Sequence, residues 1–517
     1  MKNSSSRTTK FVRSLLSGYG LIGVTFSCSL ISVPIVLHYL PRAEFGLWAL
    51  ISQMLGYICL VDLGMSGAVM RTLVDHKDDR NGGVYGGVIQ VSFYVTLIQA
   101  LLISIAGIGC SFFAGSLIHV DAALRSTFTT VMLIQSLQIG LGFIARPMSG
   151  MLESHQRYDL INVGFGSQQI INLTVLWGCL HAGMGIFSLV WACAAGQLLY
   201  FSSALFNCTR LHLFPKKGCW GRPTWPLFRE LFSFGTDVFM VAIGGQLMGA
   251  SQVILLTHLF GLDTAAIWSV CMRPFNMLLQ FVYKISDYSS GALAEMMVRK
   301  ERVRLLSRFR SIAIFSGSVA AFAAVGFALC NQLFVTIWTS GRISWSGWNN
   351  LLLAVWFILL VLLHVHAGFV GQTKKLEALR YLYILEGLFF VAGTLLFASH
   401  GGISLMIAIS MIGNCMFSLR YAFLRTCRYF ELPVSEVLLH WSLPMLRMLV
   451  ILIPIALAIH WMASDLPAPW RLAASAVSIG IPGLILLFRL GLDPELKSEL
   501  LRRLPGKFAP VMACLLG

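Results

Sequence analysis

Charge is what this chain has least of. Only 12% of its 517 residues are Asp, Glu, Lys or Arg, while 57% are hydrophobic. A soluble domain carries about 25% charged residues, so a soluble globular fold is excluded. No long stretch lacks an apolar run, so there is no room for a separate soluble domain either. The twelve cysteines form no CxxC pair and no cluster with histidine. That removes a zinc site of ordinary spacing and leaves no disulfide framework. Most of them (Cys28, Cys59, Cys110, Cys179, Cys193, Cys271 and Cys330) sit inside apolar runs, where a thiol acts as a small apolar filler. No metal or other cofactor is expected. The net charge of +16 forms no coherent basic motif, so no nucleic-acid partner is expected. Lys and Arg gathered in the cytoplasmic loops of a membrane protein explain it better.

What is present is a series of long apolar runs. Fourteen spans are read, at about 15–40, 46–69, 84–113, 124–150, 159–181, 186–207, 231–258, 265–292, 310–332, 350–370, 379–399, 402–424, 445–463 and 470–490. Each approaches the roughly 20 helical residues needed to cross about 30 Å of hydrocarbon. The polar, basic segment Met1–Arg13 leads into a run too long for a signal-peptide core, so it reads as a retained first helix. The expected architecture is an all-α polytopic membrane protein. A six-helix lobe (1–208) is followed by a basic cytoplasmic linker (209–230) and a second six-helix lobe (231–430). Residues 431–517 supply two further spans and a cytoplasmic tail. With a cytoplasmic N-terminus, about 32 of the 38 Lys and Arg residues fall on one side. This asymmetry predicts that both termini are cytoplasmic.

An internal similarity supports the two lobes. Val36-Leu37-His38-Tyr39-Leu40 with Trp48 matches Leu256-Thr257-His258-Leu259-Phe260 with Trp268 at an offset of 220. An even number of spans in each half implies parallel repeats; chance likeness between two apolar stretches is the alternative. His38 and His258 read as headgroup or capping residues, and Trp338, Trp345 and Trp348 as an interfacial belt.

Three polar stripes interrupt the apolar runs. In the eighth span, Arg273, Gln280, Lys284 and Asp287 lie at i, i+7, i+11 and i+14, within roughly one 60° sector of a helix. A cation at membrane depth needs a cavity or a partner. The stripe is therefore either a lumen-facing contact for an anion or sugar, or a structural ion pair. Lys284, near a span end, also suits simple snorkelling. In the fourth span Gln135, Gln138, Gly142 and Arg146 share a face. Carboxamides donate and accept at once, which suits sugar hydroxyls; Arg146 reads as a substrate contact or an interfacial anchor. Asn162, Gln168 and Gln169 in the fifth span are cavity groups or interhelical glue. Three carboxylates, Asp62, Asp237 and Glu386, are candidates for a coupling proton or sodium ion, with a salt bridge as the alternative. For Asp62 that partner would be the nearby Arg71 loop.

The corner Leu40-Pro41-Arg42-Ala43-Glu44-Phe45-Gly46-Leu47-Trp48, followed by Val61-Asp62-Leu63-Gly64 and Arg71, resembles the N-terminal signature of Wzx-type polysaccharide flippases. Gly261-Leu262-Asp263-Thr264-Ala265-Ala266-Ile267-Trp268 is similar to the start of their second half. These O-antigen and exopolysaccharide transporters share a superfamily with MATE drug exporters and lipid II flippases. The resemblance implies a MATE-like fold in the bacterial inner membrane. It implies translocation of an undecaprenyl-diphosphate-linked oligosaccharide to the outer leaflet by alternating access, for lipopolysaccharide or other surface polysaccharide synthesis, with a polysaccharide polymerase as a partner. Two other readings compete: a MATE-like small-molecule antiporter, and a membrane enzyme of glycan assembly. The deep Arg273 argues against a cavity for cationic drugs. The absence of a catalytic constellation, with outer loops of roughly 15 residues or fewer by the span limits, argues against an enzyme.

Overall fold

A computed structural model describes residues 2–62, 83–118, 120–155, 157–373 and 376–492, together with Met65, Val69, Thr72, Leu73, His76 and Lys497. Of residues 2–15, 114–117, 230, 231, 233–238, 291 and 292 it describes the backbone alone. Arg71 lies outside the described residues, as does the side chain of Asp237.

The described chain is helical throughout, and eleven of its helices are long and apolar enough to cross a membrane. It divides into two compact units, Met1–Ala266 and Ile267–Gly517. The first contains α1 (Lys2–Tyr39), α2 (Arg42–Ile58), α3 (Val84–Leu117), α4 (Ala122–Phe143), α5 (Arg146–Ser154), α6 (Tyr158–His181), α7 (Phe187–Arg210) and α8 (Trp225–Phe260). Helix α9 (Leu262–Val298) begins in the first unit and runs into the second. The second continues with α10 (Arg302–Trp338), α11 (Gly347–Gln372), α12 (Leu379–Met416), α13 (Ser418–Phe430), α14 (Leu443–Met462) and α15 (Ala468–Leu490).

Local chemistry sets the breaks. Pro41 precedes the first residue of α2, where a missing N–H does no harm. The apolar run at 124–150 is not one helix: α4 ends at Phe143, and α5 starts at Arg146 with Pro147 in its first turn. Pro147 has no N–H to continue the ladder, so Arg146 stands at a helix junction. Pro274 has no such effect, since α9 runs through it. The long α12 reverses at Gly402, with φ 60° and ψ −149°, a conformation that favours glycine. Helices α6 and α7, α3 and α4, and α1 and α6 pack together in the first unit, and α10 packs on α11, α14 and α15 in the second. Leu101, Phe113, Leu141, Val450 and Trp461 are exposed. Large apolar side chains on the outside of helices are expected where the solvent is lipid.

Gly46 shows what the opening hairpin requires. A Cβ built there would lie 2.1 Å from the backbone oxygen of Leu262. Only glycine lets α2 approach the start of α9 that closely, which gives Gly46 a packing reason in the corner that carries the resemblance.

Candidate functional site

A cavity of about 630 Å³ lies within the first unit, between α2, α4, α5, α6 and α7. Helix α4 presents Gln135, Gln138 and Gly142 to it, and α5 presents Arg146. The polar face of the fourth span and the arginine beyond its break therefore converge on one space. The opposite walls add Gln168 and Asn172 from α6, and Gln197 and Tyr200 from α7.

The five carboxamides are partly linked. Gln135 Nε2 donates to Gln138 Oε1 at 3.0 Å. Gln138 Nε2 reaches the carbonyl of Val190 at 3.4 Å. Gln197 Nε2 donates to the backbone oxygen of Gln138 at 2.8 Å. Gly142 makes the last contact feasible, because a Cβ there would fall 1.7 Å from Gln197 Nε2. Ser149 Oγ and Tyr200 OH lie 2.7 Å apart on the same wall. Each carboxamide carries two donors and an acceptor oxygen, so this lining keeps capacity for hydroxyl groups beyond its internal bonds.

Arg146 supplies the cation. Its Nη1 lies 2.5 Å from Asp62 Oδ1, and its guanidinium sits 3.5 Å from the centroid of the Phe143 ring. Asp62 closes a short 3₁₀ turn, Cys59–Asp62, after α2. Gln99 of α3 braces that turn by donating to the carbonyls of Val61 and Asp62 at 3.2 and 3.1 Å. The arginine side chain keeps 35% of its exposure and lines the cavity. A planar guanidinium carries five N–H donors, and phosphate suits its fork geometry. Glu153 also lines this cavity, placing a carboxylate near the same wall.

The other sequence candidates lie elsewhere. Arg273, Gln280 and Lys284 are on α9 and do not line this cavity. Lys284 Nζ is 3.5 Å from Asp287 Oδ2, and Asp287 Oδ1 is 2.9 Å from His364 Nε2. The Tyr283 ring stacks on His364 with centroids 3.7 Å apart. Asn162 donates to Ser17 Oγ at 3.0 Å, a bond between α6 and α1, so it acts as interhelical glue. Glu386 is buried, accepting hydrogen bonds from Asn414 Nδ2 and, at 3.2 Å, from the backbone N–H of Ser418 at the start of α13. Asn414 Oδ1 in turn accepts from Trp356 Nε1 at 2.7 Å. Among the described residues no group of three His, Cys, Asp or Glu side chains could hold a metal ion.

The sequence reading missed Asn172, Gln197, Tyr200 and Glu153 as cavity residues. Asn172 follows Gln168 at helical i+4 spacing, a readable signal. For the others, nothing in the linear pattern shows which face of α5 or α7 turns inward.

Comparison with known proteins matches this architecture. Among solved structures, the lipid II flippase MurJ in an inward closed conformation superposes with a TM-score of 0.67 at 12% identity, covering 91% of this chain and 97% of that one. An inward-facing multidrug resistance MATE family transporter of the MOP superfamily gives 0.61 at 12% identity, over 78% of this chain and 94% of the other. A MATE transporter from Vibrio cholerae gives 0.56 at 12% identity, over 82% and 99%. At such identities the likeness shows the fold alone: this chain has a MurJ- and MATE-like fold. No curated protein matches the sequence. The sequence profile described as polysaccharide biosynthesis protein matches residues 12–288, more than half of the chain and the whole of the region that builds the cavity, so the chain belongs to the polysaccharide biosynthesis protein family.

Proposed function

We propose that this protein is a flippase that moves an undecaprenyl-diphosphate-linked oligosaccharide from the cytoplasmic to the outer leaflet of the bacterial inner membrane by alternating access. In this reading fourteen spans place both termini in the cytoplasm, and the product feeds O-antigen or exopolysaccharide assembly, where a polymerase takes it up. The observation that carries the proposal is the cavity of the first unit, where carboxamides from α4, α6 and α7 surround a space bordered by Arg146. Carboxamides suit sugar hydroxyls, and the guanidinium suits the diphosphate. Gln135, Gln138 and Arg146 are the proposed cavity contacts here, and Arg273, Gln280 and Lys284 are proposed to contact substrate from α9. Of the carboxylates suggested for a coupling proton or sodium ion, Asp62 bears directly on a cavity residue. Glu386 is engaged at the start of α13, and Asp237 remains a proposal from its place in the sequence.

A small-molecule antiporter on the same fold is the rival. A deletion strain separates the two. Loss of surface polysaccharide with accumulation of undecaprenyl-linked repeat units on the cytoplasmic side is the expected result. Normal surface polysaccharide with no accumulated intermediate would overturn the flippase reading. Within the same assay, Arg273→Ala at normal abundance is expected to abolish complementation, and Arg273→Lys to keep part of it. Full activity of the alanine variant would remove Arg273 from the mechanism.

A further inference from the structure

A second cavity, of about 440 Å³, lies wholly within the C-terminal unit between α10, α11, α13 and α14. The proposed glycan cavity uses none of its residues. Its walls are mostly apolar, with Leu359, Leu362, Phe423, Val437 and Leu438 among them. Three polar side chains stand among these: His366, Arg420 and Ser442.

Two of the three are short of partners. His366 is 3% exposed, packed edge-on against Phe309 and Phe423 with centroids 5.7 and 5.1 Å away. Its Nδ1 has no hydrogen-bond partner among the described residues, and a buried polar atom left unpaired is unfavourable. Arg420 makes no ion pair with any described residue. Some other arginines of this unit do, Arg302 with Glu431 at 2.8 Å, Arg304 with Glu301 at 3.2 Å and Arg425 with Glu377 at 2.5 Å, while Arg310, Arg428 and Arg447 also make none with a described residue. Arg420 is exposed and borders the apolar trough, four residues before the limit of the span read at 402–424, and its guanidinium fork there suits an anion such as phosphate.

An apolar trough bordered by a guanidinium that makes no ion pair with any described residue has the chemistry of one class of molecule. We propose that it binds an anionic phospholipid of the surrounding bilayer. Arg420 holds the phosphate, and an acyl chain lies against Leu359, Leu362 and Leu438. The volume falls in the range of about 300–1,000 Å³ typical of ligand pockets. The occupant is a resident lipid and not the travelling glycan carrier, a distinction that competition with undecaprenyl phosphate tests below. The proposal stands apart from the flippase reading, since neither the transport assay nor its outcome enters the test.

The full-length protein, purified in detergent, is mixed with phosphatidylglycerol or phosphatidylethanolamine, and bound lipid is counted by native mass spectrometry. One phosphatidylglycerol is expected to be retained, with an excess of phosphatidylethanolamine unable to displace it. Arg420→Gln should weaken retention at least about tenfold, given the strength of charge-assisted hydrogen bonds, and Arg420→Lys should be intermediate. Phosphatidylglycerol should raise the melting temperature of the wild-type protein and leave that of Arg420→Gln unchanged. Equal retention of the two phospholipids by the wild-type protein would overturn the proposal even if no variant folded. So would unchanged retention by folded Arg420→Gln, or displacement of phosphatidylglycerol by undecaprenyl phosphate, which would make the trough a carrier-tail site. Displacement by inorganic phosphate alone would show that the acyl chain contributes nothing, and would overturn it too.

Discussion

Arg146→Ala is expected to lower surface-polysaccharide complementation by roughly 10- to 100-fold at normal protein abundance, the range set by losing charge-assisted hydrogen bonds of about 1.5–3 kcal/mol. The Asp62 partner makes this prediction decisive, because two roles for Arg146 diverge in the double variant. If the pair at 2.5 Å served structure alone, either single substitution would strand a half-buried charge. Removing both charges would then relieve the defect, as it does for structural ion pairs whose partners are replaced together. If Arg146 grips substrate and Asp62 orients it, Asp62→Asn should be the milder single variant, since it leaves the guanidinium in the cavity. The double variant Asp62→Asn with Arg146→Ala should then stay as inactive as Arg146→Ala alone, a non-additive result typical of groups that act together. Recovery of complementation in the double variant, with immunoblots showing equal abundance, would assign the pair to structure and remove Arg146 from the substrate site.

Part of this site can be read from the sequence, and the reason is periodicity. Gln135, Gln138, Gly142 and Arg146 repeat at helical spacing in an apolar run, so their common face is legible before any packing is known. The structure puts that face on a cavity. Pairings across helices are not legible in the same way. Asp62 is read against Arg71, its neighbour in sequence, which lies outside the described residues; the partner that the sequence does not signal is Arg146, 84 positions away. The cavity walls from α5 and α7 share that difficulty: Glu153, Gln197 and Tyr200 are single polar residues whose direction is fixed only when α5 and α7 dock. On α9 the polar stripe is real as a face, but Lys284 meets Asp287 within its own helix, and His364 from α11 completes the group. The helix break at Phe143–Arg146 was signalled by Pro147 yet hidden by continuous hydrophobicity, since an apolar run records membrane depth and not helix continuity. An all-helical membrane architecture was legible for the same reason, because the bilayer demands apolar length whatever the packing; eleven helices meet that demand among the described residues, against the fourteen spans read from the sequence.

Glu386→Ala is expected to give the largest loss of stability among the candidate carboxylates. Glu386 is 1% exposed, and each of its oxygens accepts a hydrogen bond, from Asn414 Nδ2 and from the Ser418 N–H at the start of α13. Alanine would orphan both donors, at about 1–3 kcal/mol each, and would also leave a cavity. Interhelical hydrogen bonds in membranes couple by only about 0.6 kcal/mol on average and about 1.7 at most, so the stranded groups, more than the lost bonds, set the size of the effect. Together these predict a loss of roughly 2–6 kcal/mol, seen as a marked fall in the melting temperature of the purified protein. Asn414→Leu should destabilise by a comparable amount, because it fills the space but strands both the Glu386 oxygen and the Trp356 Nε1 donor. The same residue tests ion coupling. Glu386→Gln keeps the volume and one acceptor oxygen but cannot exchange a proton or bind a cation by charge. If Glu386 only positions α13, transport at a fixed proton or sodium gradient should fall no further in this variant than its abundance does. Loss of gradient-driven transport in well-folded Glu386→Gln would instead make Glu386 the coupling carboxylate, and would move that role away from Asp62.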